Sequence, residues 1–195
     1  MFTKPIQLKD YPKINDWLAR LESMMRLSLA DLLCDAVAEL QSFYGTRSIL
    51  DQDQLMSWME KYPTQLVTLA VQVAWTTSVE STLDSGILPE SPLDTIEQAL
   101  DLLADTVLQE LKAVARRKYE HLITKLVHRR DVTRTLIQQQ VADTLAAFTW
   151  LSQMRFYLDR SAGDPFNRLA IRVADATLWF GVSWCTGPPC PDASY

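Results

Sequence analysis

The stretch that decides the fold spans residues 116–159 and reads RRKYEHLITKLVHRRDVTRTLIQQQVADTLAAFTWLSQMRFYLD. Its first half is basic and carries apolar residues at helical spacing, which predicts a long helix with one buried face. Residues 145–153 predict a further short helix, and residues 154–159 alternate as a β-strand does. The chain before this stretch favours packed helices, and the chain after it favours a small sheet. The residues predicted on the buried face of the basic helix are Tyr119, Leu122, Leu126, Thr133 and Leu136.

The segment from Lys13 to Tyr44 repeats apolar residues every three or four positions and is followed by Gly45. This pattern predicts one amphipathic helix with a glycine stop. About 32 residues at roughly 1.5 Å each give a rod of about 48 Å. A compact chain of this length would be only about 42 Å across. The sequence therefore predicts an elongated molecule.

The next segment predicts two helices separated by a proline. Asp51 or Asp53 can cap the first of them, and Pro63 interrupts the pattern. The helix that follows, Thr64 to Leu83, is apolar nearly all round, so it must be covered on more than one side.

Residues 84–92 form the clearest loop, and Ser91 can cap the helix that follows it. Leu93 to Leu111 repeat as a near-heptad seam, typical of antiparallel or coiled-coil packing. The pattern leaves open whether this helix breaks near residues 110–115 or continues into the basic helix.

The C-terminal strands predict a hairpin. Residues 154–158 can pair across the loop at Gly163–Pro165 with Leu169–Val173 or Thr177–Phe180. The expected fold class is mainly α: an elongated bundle of long antiparallel helices with a small C-terminal β-hairpin. The expected organisation is an extended lead-in (1–12), a helical domain (13–153), the hairpin (154–181) and a divergent tail without fold (182–195).

The composition is that of an ordinary globular protein, with 48% apolar and 22% charged residues. The longest apolar stretch, Leu66 to Trp75, is too short to span a bilayer, and the N-terminus lacks the apolar core of a signal peptide. We therefore expect a cytoplasmic protein with no membrane partner. Cys34 lies in a helical pattern, and we predict neither a disulfide nor a metal role for Cys185 and Cys190.

Charge is concentrated between Lys112 and Arg134, where eight basic residues face two acidic ones. This local charge of +6 contrasts with a net charge of −5 for the whole chain. The basic residues are spread around the helix, and Tyr119 is the sole aromatic residue available to stack on bases. The pattern favours docking on an acidic neighbour over nucleic-acid binding.

No motif for catalysis stands out. A phosphate-binding loop needs several glycines before a lysine, but the chain has five glycines and none precedes a lysine. His121 and His128 would lie about 10.5 Å apart along a helix, too far to share a metal. We predict no catalytic, cofactor-binding or metal-binding residue, and no cofactor. The tryptophans at helical spacing are predicted to be core: Trp17, Trp58, Trp75 and Trp150.

Several long segments resemble one family. RRKYEHLITKLVHRRDVTRTLI and FTWLSQMRFYLD resemble cytoplasmic dynein heavy chains, at the C-terminal part of the linker just before the first AAA+ module. KPIQLKDYPKINDWLARLESMMRLSLADLL, WMEKYPTQLVTLAVQVAWTTSVE and LDLLADTVL resemble the same region in the same order. The resemblance covers roughly residues 4–180.

The resemblance implies a mechanical lever that lies across an AAA+ ring in an ATP-driven, minus-end-directed microtubule motor. It implies the AAA+ ring and other dynein subunits as partners, microtubules only indirectly, and a place in the cytoplasm on the microtubule cytoskeleton. The family's nucleotide-binding motifs come after the linker, so no catalytic residue is carried over and the chain is not expected to be an enzyme on its own.

The chain departs from the family at several positions. Thr149 stands where the family favours Glu, Leu158 where it favours an aromatic residue, and residues 112–115 lack the usual prolines. From Val182 the resemblance ends, so we expect a truncation or a gene-model error there. The alternative function is a free-standing helical protein that binds dynein subunits or AAA+ modules; a nucleic-acid binder is a third, weaker hypothesis.

Overall fold

The structure, a computed structural model, describes residues 7–10, 13–43, 51–84, 91–139, 144–164 and 167–179. Within these ranges the chain forms six α-helices, one 3-10 turn and one three-stranded sheet, so the predicted mainly α class is confirmed. The helices are α1 (Ile14–Phe43), α2 (Gln52–Lys61), α3 (Thr64–Asp84), α4 (Ser91–Val107), α5 (Ala113–Gln138) and α6 (Thr144–Leu151). The strands are β1 (Arg155–Leu158), β2 (Leu169–Val173) and β3 (Ala176–Trp179).

Helix α1 is the predicted long helix. Its 30 residues span about 45 Å at 1.5 Å per residue. Its fully buried residues all lie from Ala30 onward, whereas Ile14, Leu18 and Met25 are exposed. The C-terminal half of α1 therefore belongs to the core, and the N-terminal half carries an uncovered apolar stripe.

The corner between α2 and α3 forms where Pro63 was predicted to interrupt the helix, because proline cannot donate a backbone hydrogen bond. Asp51 is the residue that caps α2, since its carboxylate accepts a hydrogen bond from the Asp53 amide at 3.1 Å. The Lys118 ammonium of α5 donates to the carbonyls of Met59 and Tyr62. A cation thus satisfies carbonyls at the C-terminal end of α2, where the helix dipole favours positive charge.

Helix α3 lies at the centre of the molecule. Every residue from Leu66 to Thr76 is buried except Leu69, which is half-buried. The helix contacts α1, α4, α5 and β1. The prediction that this nearly all-apolar helix is covered on more than one side is confirmed.

The chain breaks between α4 and α5, which answers the question that the near-heptad pattern left open. Helix α4 ends at Val107, and the Arg116 guanidinium donates to the Val107 carbonyl at 3.1 Å across the turn. At the other end of the pair, Arg134 of α5 forms an ion pair with Glu97 of α4. These two contacts show that α4 and α5 run antiparallel. Helix α4 begins at Ser91, and the predicted capping role of that side chain stays a prediction.

The C-terminal sheet is larger than the predicted hairpin. Both candidate partners of β1 form strands, and β2 pairs antiparallel with β1 on one side and β3 on the other. The prediction was incomplete because the β2–β3 turn contains no glycine: Ala174 adopts the left-handed conformation at φ 49° instead. The predicted tail, 182–195, lies outside the described residues.

Two smaller expectations were also wrong. The lead-in is not extended throughout, because Leu8–Asp10 form a 3-10 turn. Trp17 is half-buried on the open half of α1, whereas Trp58, Trp75 and Trp150 are core residues as predicted. Among the helices that the structure describes, none combines the length and the apolar character needed to cross a membrane.

Candidate functional site: the junction between helices and sheet

The histidine and cysteine side chains that the structure describes, which are suited to catalysis or metal binding, do not form a common site. His121 and His128 are both exposed on α5, and Cys34 of α1 is half-buried with a free thiol. Across the described ranges, no group of three His, Cys, Asp or Glu side chains is placed to hold a metal. Cys185 and Cys190 lie outside those ranges.

Two open clefts lie on the helical part, and neither is lined by a histidine or a cysteine. The larger, about 690 Å³, lies between α1 and α2. The smaller, about 520 Å³, lies where the α2–α3 corner meets the start of α5. Lining residues of the larger cleft are Glu39, Ser42, Phe43, Asp53, Gln54, Ser57 and Trp58. Neither lining pairs a nucleophile with a histidine base in the manner of known hydrolytic sites.

The basic residues of α5 are mostly engaged inside the protein. Arg116 and Lys118 bind main-chain carbonyls, and Arg134 pairs with Glu97 of α4. Helix α5 packs on α4, which carries four acidic residues and no basic one, and Arg134–Glu97 is an ion pair between them; docking of the basic helix on an acidic partner stays a prediction. The exposed basic residues of this region are Lys112, Arg117, Lys125 and Arg134.

Three helices meet at Trp75 of α3. Its ring packs edge-on against Trp150 of α6 with centroids 5.1 Å apart, and its Nε1 donates to Thr133 Oγ1 of α5 at 3.1 Å. The Arg129 guanidinium lies over the same ring at 4.0 Å. All four side chains are buried. Trp75 therefore joins α3, α5 and α6 through two ring contacts and one hydrogen bond.

Among the residues that the structure describes, Arg129 is a buried cation without an acidic partner. Its side chain is 6% exposed, and its Nε has no hydrogen-bond acceptor in the described part of the chain. Burial lowers the pKa of the guanidinium to about 10. A base whose pKa is lowered on folding destabilises the fold at every pH below the folded value, because the unfolded chain holds the proton more tightly. The stacking on Trp75 offsets part of this cost.

We therefore expect Arg129→Met to raise the free energy of unfolding at pH 7, by about 1–2 kcal/mol. Removing the unpaired buried charge should raise the free energy of unfolding by about 3 kcal/mol, the energy that corresponds to the lowered pKa. Loss of the cation–π contact should lower it again by about 1–2 kcal/mol. Urea unfolding followed by tryptophan fluorescence measures the difference. Arg130→Met is the matched control, because Arg130 forms a partly exposed ion pair with Asp131 and should change stability by less than about 0.5 kcal/mol. A loss of stability in Arg129→Met would contradict the reading that this charge is unpaired.

The sheet docks on α3 through β1. The Phe156 amide donates to Thr76 Oγ1 at 3.0 Å, a buried hydrogen bond between residues 80 positions apart. One turn further along α3, Glu80 accepts a hydrogen bond from the Tyr157 hydroxyl. Burial and this bond raise the pKa of Tyr157 to about 12, and the Arg172 guanidinium lies 4.6 Å from its ring centroid. Helix α3 thus holds the first strand by both main-chain and side-chain bonds.

The sheet is also tied to α1 and α6. Arg168, next to β2, forms an ion pair with Asp31 of α1 at 2.8 Å. Arg160 donates to Gln41 of α1 at 3.0 Å, and the Ala174 amide in the β2–β3 turn donates to the Leu151 carbonyl at the end of α6 at 2.7 Å. Each strand connection is therefore fixed to a helix. We call the contacts around Trp75, Thr76 and Glu80, together with these ties, the helix–sheet junction.

The sequence alone did not indicate this junction. Arg129 occupies the position between Leu126 and Thr133 on the predicted buried face, and that placement was the available signal. The sequence around Thr76 and Glu80 gave no such signal, since their hydrogen-bond partners lie about 80 residues away. Among the described residues, the junction joins the helices to the sheet through ring packing, hydrogen bonds and an ion pair.

Comparison with known proteins identifies relatives of the chain. No protein-family model matches the chain. Curated relatives do match: the chain is 40% identical over 191 residues to "Dynein heavy chain, cytoplasmic" of Dictyostelium discoideum, 42% over 186 residues to that of Neurospora crassa, and 38% over 189 residues to that of Drosophila melanogaster. Each match covers 94–95% of this chain. This chain is homologous to a segment of cytoplasmic dynein heavy chains.

The matched segment is a small part of each relative. The chain covers about 4% of the length of each of these dynein heavy chains. The dynein-like region includes every element of the junction, because the matches extend over nearly the whole chain. The chain therefore corresponds to a small segment of a much longer protein in those relatives.

Proposed function

We propose that the chain is the C-terminal part of the linker of a cytoplasmic dynein heavy chain, a mechanical element with no active site of its own. The observation that carries this proposal is the helix–sheet junction: α3 is buried against α1, α4, α5 and β1, and the first strand is hydrogen-bonded to it. An element that transmits force needs such a rigid connection between its parts. The homology to dynein heavy chains supplies the protein in which the element works.

The proposed mechanical path runs from α1 to the sheet. Load on α1 passes to α3 through their packed core and to the sheet through the Arg168–Asp31 pair. The bonds from Thr76 and Glu80 hold β1 on α3. Because closely packed interiors deform little, displacement of one end moves the other. The proposed partners are the AAA+ ring and other dynein subunits, with microtubules reached only indirectly, in the cytoplasm on the microtubule cytoskeleton.

ATP turnover belongs to other parts of the heavy chain in this proposal. We therefore expect the isolated protein not to bind ATP at micromolar concentrations, with or without Mg²⁺, because no glycine-rich loop precedes a lysine in its sequence. Isothermal titration calorimetry measures this directly. Stoichiometric heat on addition of ATP would contradict the proposal.

The uncovered apolar stripe of α1 favours a second candidate function, a free-standing helical protein that binds dynein subunits or AAA+ modules. Ile14, Leu18 and Met25 lie on one side of the helix and are between 43% and 64% exposed. Exposed apolar side chains in a row are typical of a surface that meets another protein.

A replacement experiment separates the two candidates. The matched residues of the Dictyostelium dynein heavy chain are replaced by this chain, and gliding of microtubules over the surface-bound motor is measured. The linker proposal predicts gliding when the segment is in the heavy chain, and no gliding when a flexible Gly/Ser segment of equal length replaces it. The free-standing candidate predicts instead that the segment binds the motor when added separately and does not restore gliding within it.

A further inference from the structure

One edge of the sheet packs on α3, and the other has no partner strand among the described residues. The outer edge of β1 faces α3, where the Phe156 amide donates to Thr76. In the residues that the structure describes, β3 pairs with β2 alone, so its second edge has no partner strand. Leu178 and Trp179 on this strand are 58% and 60% exposed.

The hydrogen bonds already described fix which groups of β3 point outward. Because the Phe156 amide points away from β2, the main-chain groups of its register partner Ile171 point towards β3. Ile171 pairs with Leu178, so Leu178 faces β2. The Asp159 amide donates to the Arg168 carbonyl at 2.7 Å, which agrees with this alternation. The N–H and C=O groups of Thr177 and Trp179 therefore point to the open side.

The side chains show the same incomplete cover. Phe156, Ile171 and Leu178 are register partners and lie in one row across a single face of the sheet. The first two are each 5% exposed, but Leu178 is 58% exposed. This row of apolar side chains is therefore buried on β1 and β2 and exposed to solvent on β3.

The sequence of β3 lacks the usual protection of a free edge. Monomeric proteins blunt an edge strand with lysine, proline or a bulge. Strand β3 reads Ala-Thr-Leu-Trp, has regular pairing with β2 and carries none of these. Four main-chain groups, an apolar row and no protecting residue are the features of an edge to which another strand adds.

We propose that β3 accepts a fourth strand supplied by the remainder of a dynein heavy chain, which pairs with Thr177 and Trp179 and places an apolar side chain beside Leu178. This inference rests on the proposed function, because it takes the partner from the heavy chain. The homology supports that source: the chain covers about 4% of its relatives, so nearly all of a heavy chain lies outside it.

Residue-resolved hydrogen exchange by mass spectrometry tests the inference, on the isolated protein and on the Dictyostelium replacement motor. We expect the amides of Thr177 and Trp179 to exchange at least about tenfold more slowly in the motor, as they gain acceptors there. The Leu178 amide, already paired with β2, should change less. Thr177→Pro removes an outward N–H that an edge strand can lack, so the isolated protein should keep its melting temperature while the motor loses the slow exchange at Trp179. Leu178→Pro is the contrasting variant, because it breaks the β2–β3 pairing in both.

The outcomes separate this inference from the proposed function. A motor that moves microtubules but shows no slowing at Thr177 and Trp179 would overturn the fourth strand and leave the linker proposal standing. Slow exchange at both amides in a motor that does not move would refute the linker proposal alone. Slow exchange in the isolated protein that depends on its concentration would identify the added strand as a second copy of this chain, and would also overturn the inference.

Discussion

Replacing Trp75 by alanine is expected to lower the free energy of unfolding by about 3–5 kcal/mol, the range for a large-to-small change at a buried aromatic residue. The side chain is 2% exposed and packs against both Trp150 and Arg129. Its removal leaves a cavity where α3, α5 and α6 meet, and takes the stacking surface away from a buried guanidinium. For a chain of this size the melting temperature should fall by about 6–20 °C. Urea unfolding and calorimetry measure both quantities.

The control for this variant is Trp179→Ala. It removes the same side chain from a position that is 60% exposed on the open strand. We expect a change below about 0.5 kcal/mol in the isolated protein, as for surface substitutions in general. Equal losses in the two variants would mean that Trp75 does not form the centre of the junction.

Trp58→Ala is expected to have an effect of similar size, about 3–5 kcal/mol, at the other end of the helical core. Trp58 is 1% exposed and packs against Phe43 of α1 and Tyr62 of the α2–α3 corner, with ring centroids 6.3 and 6.1 Å away. Its Nε1 donates to the Ala36 carbonyl at 3.1 Å. The residue therefore attaches the corner to α1.

Trp58→Phe separates the ring packing from the hydrogen bond. Phenylalanine keeps much of the ring but cannot donate to Ala36, so we expect a loss of about 1–2 kcal/mol. If the phenylalanine variant loses as much as the alanine variant, the hydrogen bond outweighs the packing and this description of the corner is wrong. Both are measured by urea unfolding at pH 7.

The helices were largely predictable because their signals are local. The apolar period of 3.6 placed Tyr119, Leu122 and Leu136 on one face of α5, and each is buried. Pro63 marked the α2–α3 break for the same reason: a missing N–H acts within one turn. The break between α4 and α5 was not predictable, because Val107 to Ala113 contains neither proline nor glycine.

The junction and the third strand were not predictable, because their determinants are distant or unusual. Arg129 would ordinarily be assigned to solvent, and only the fold brings it over Trp75. The β2–β3 turn places Ala174 in a conformation that sequence patterns reserve for glycine. The Phe156–Thr76 bond joins groups that no periodicity relates. The candidate site is thus a product of tertiary structure, and the homology to dynein heavy chains came from long segments rather than from these residues.

The measurement that tests the central claim most directly compares ATP turnover with microtubule gliding in the Dictyostelium replacement motor carrying Trp75→Ala. If the helix–sheet junction transmits force, the variant motor should hydrolyse ATP at close to the rate of the unmodified replacement motor and lose most of its gliding velocity. The Arg130→Met motor, assayed beside it, should keep both ATP turnover and gliding velocity, because Arg130 lies outside the junction in a partly exposed ion pair with Asp131. A Trp75→Ala motor that glides as fast as the unmodified one, with its junction destabilised as measured above, would contradict the account.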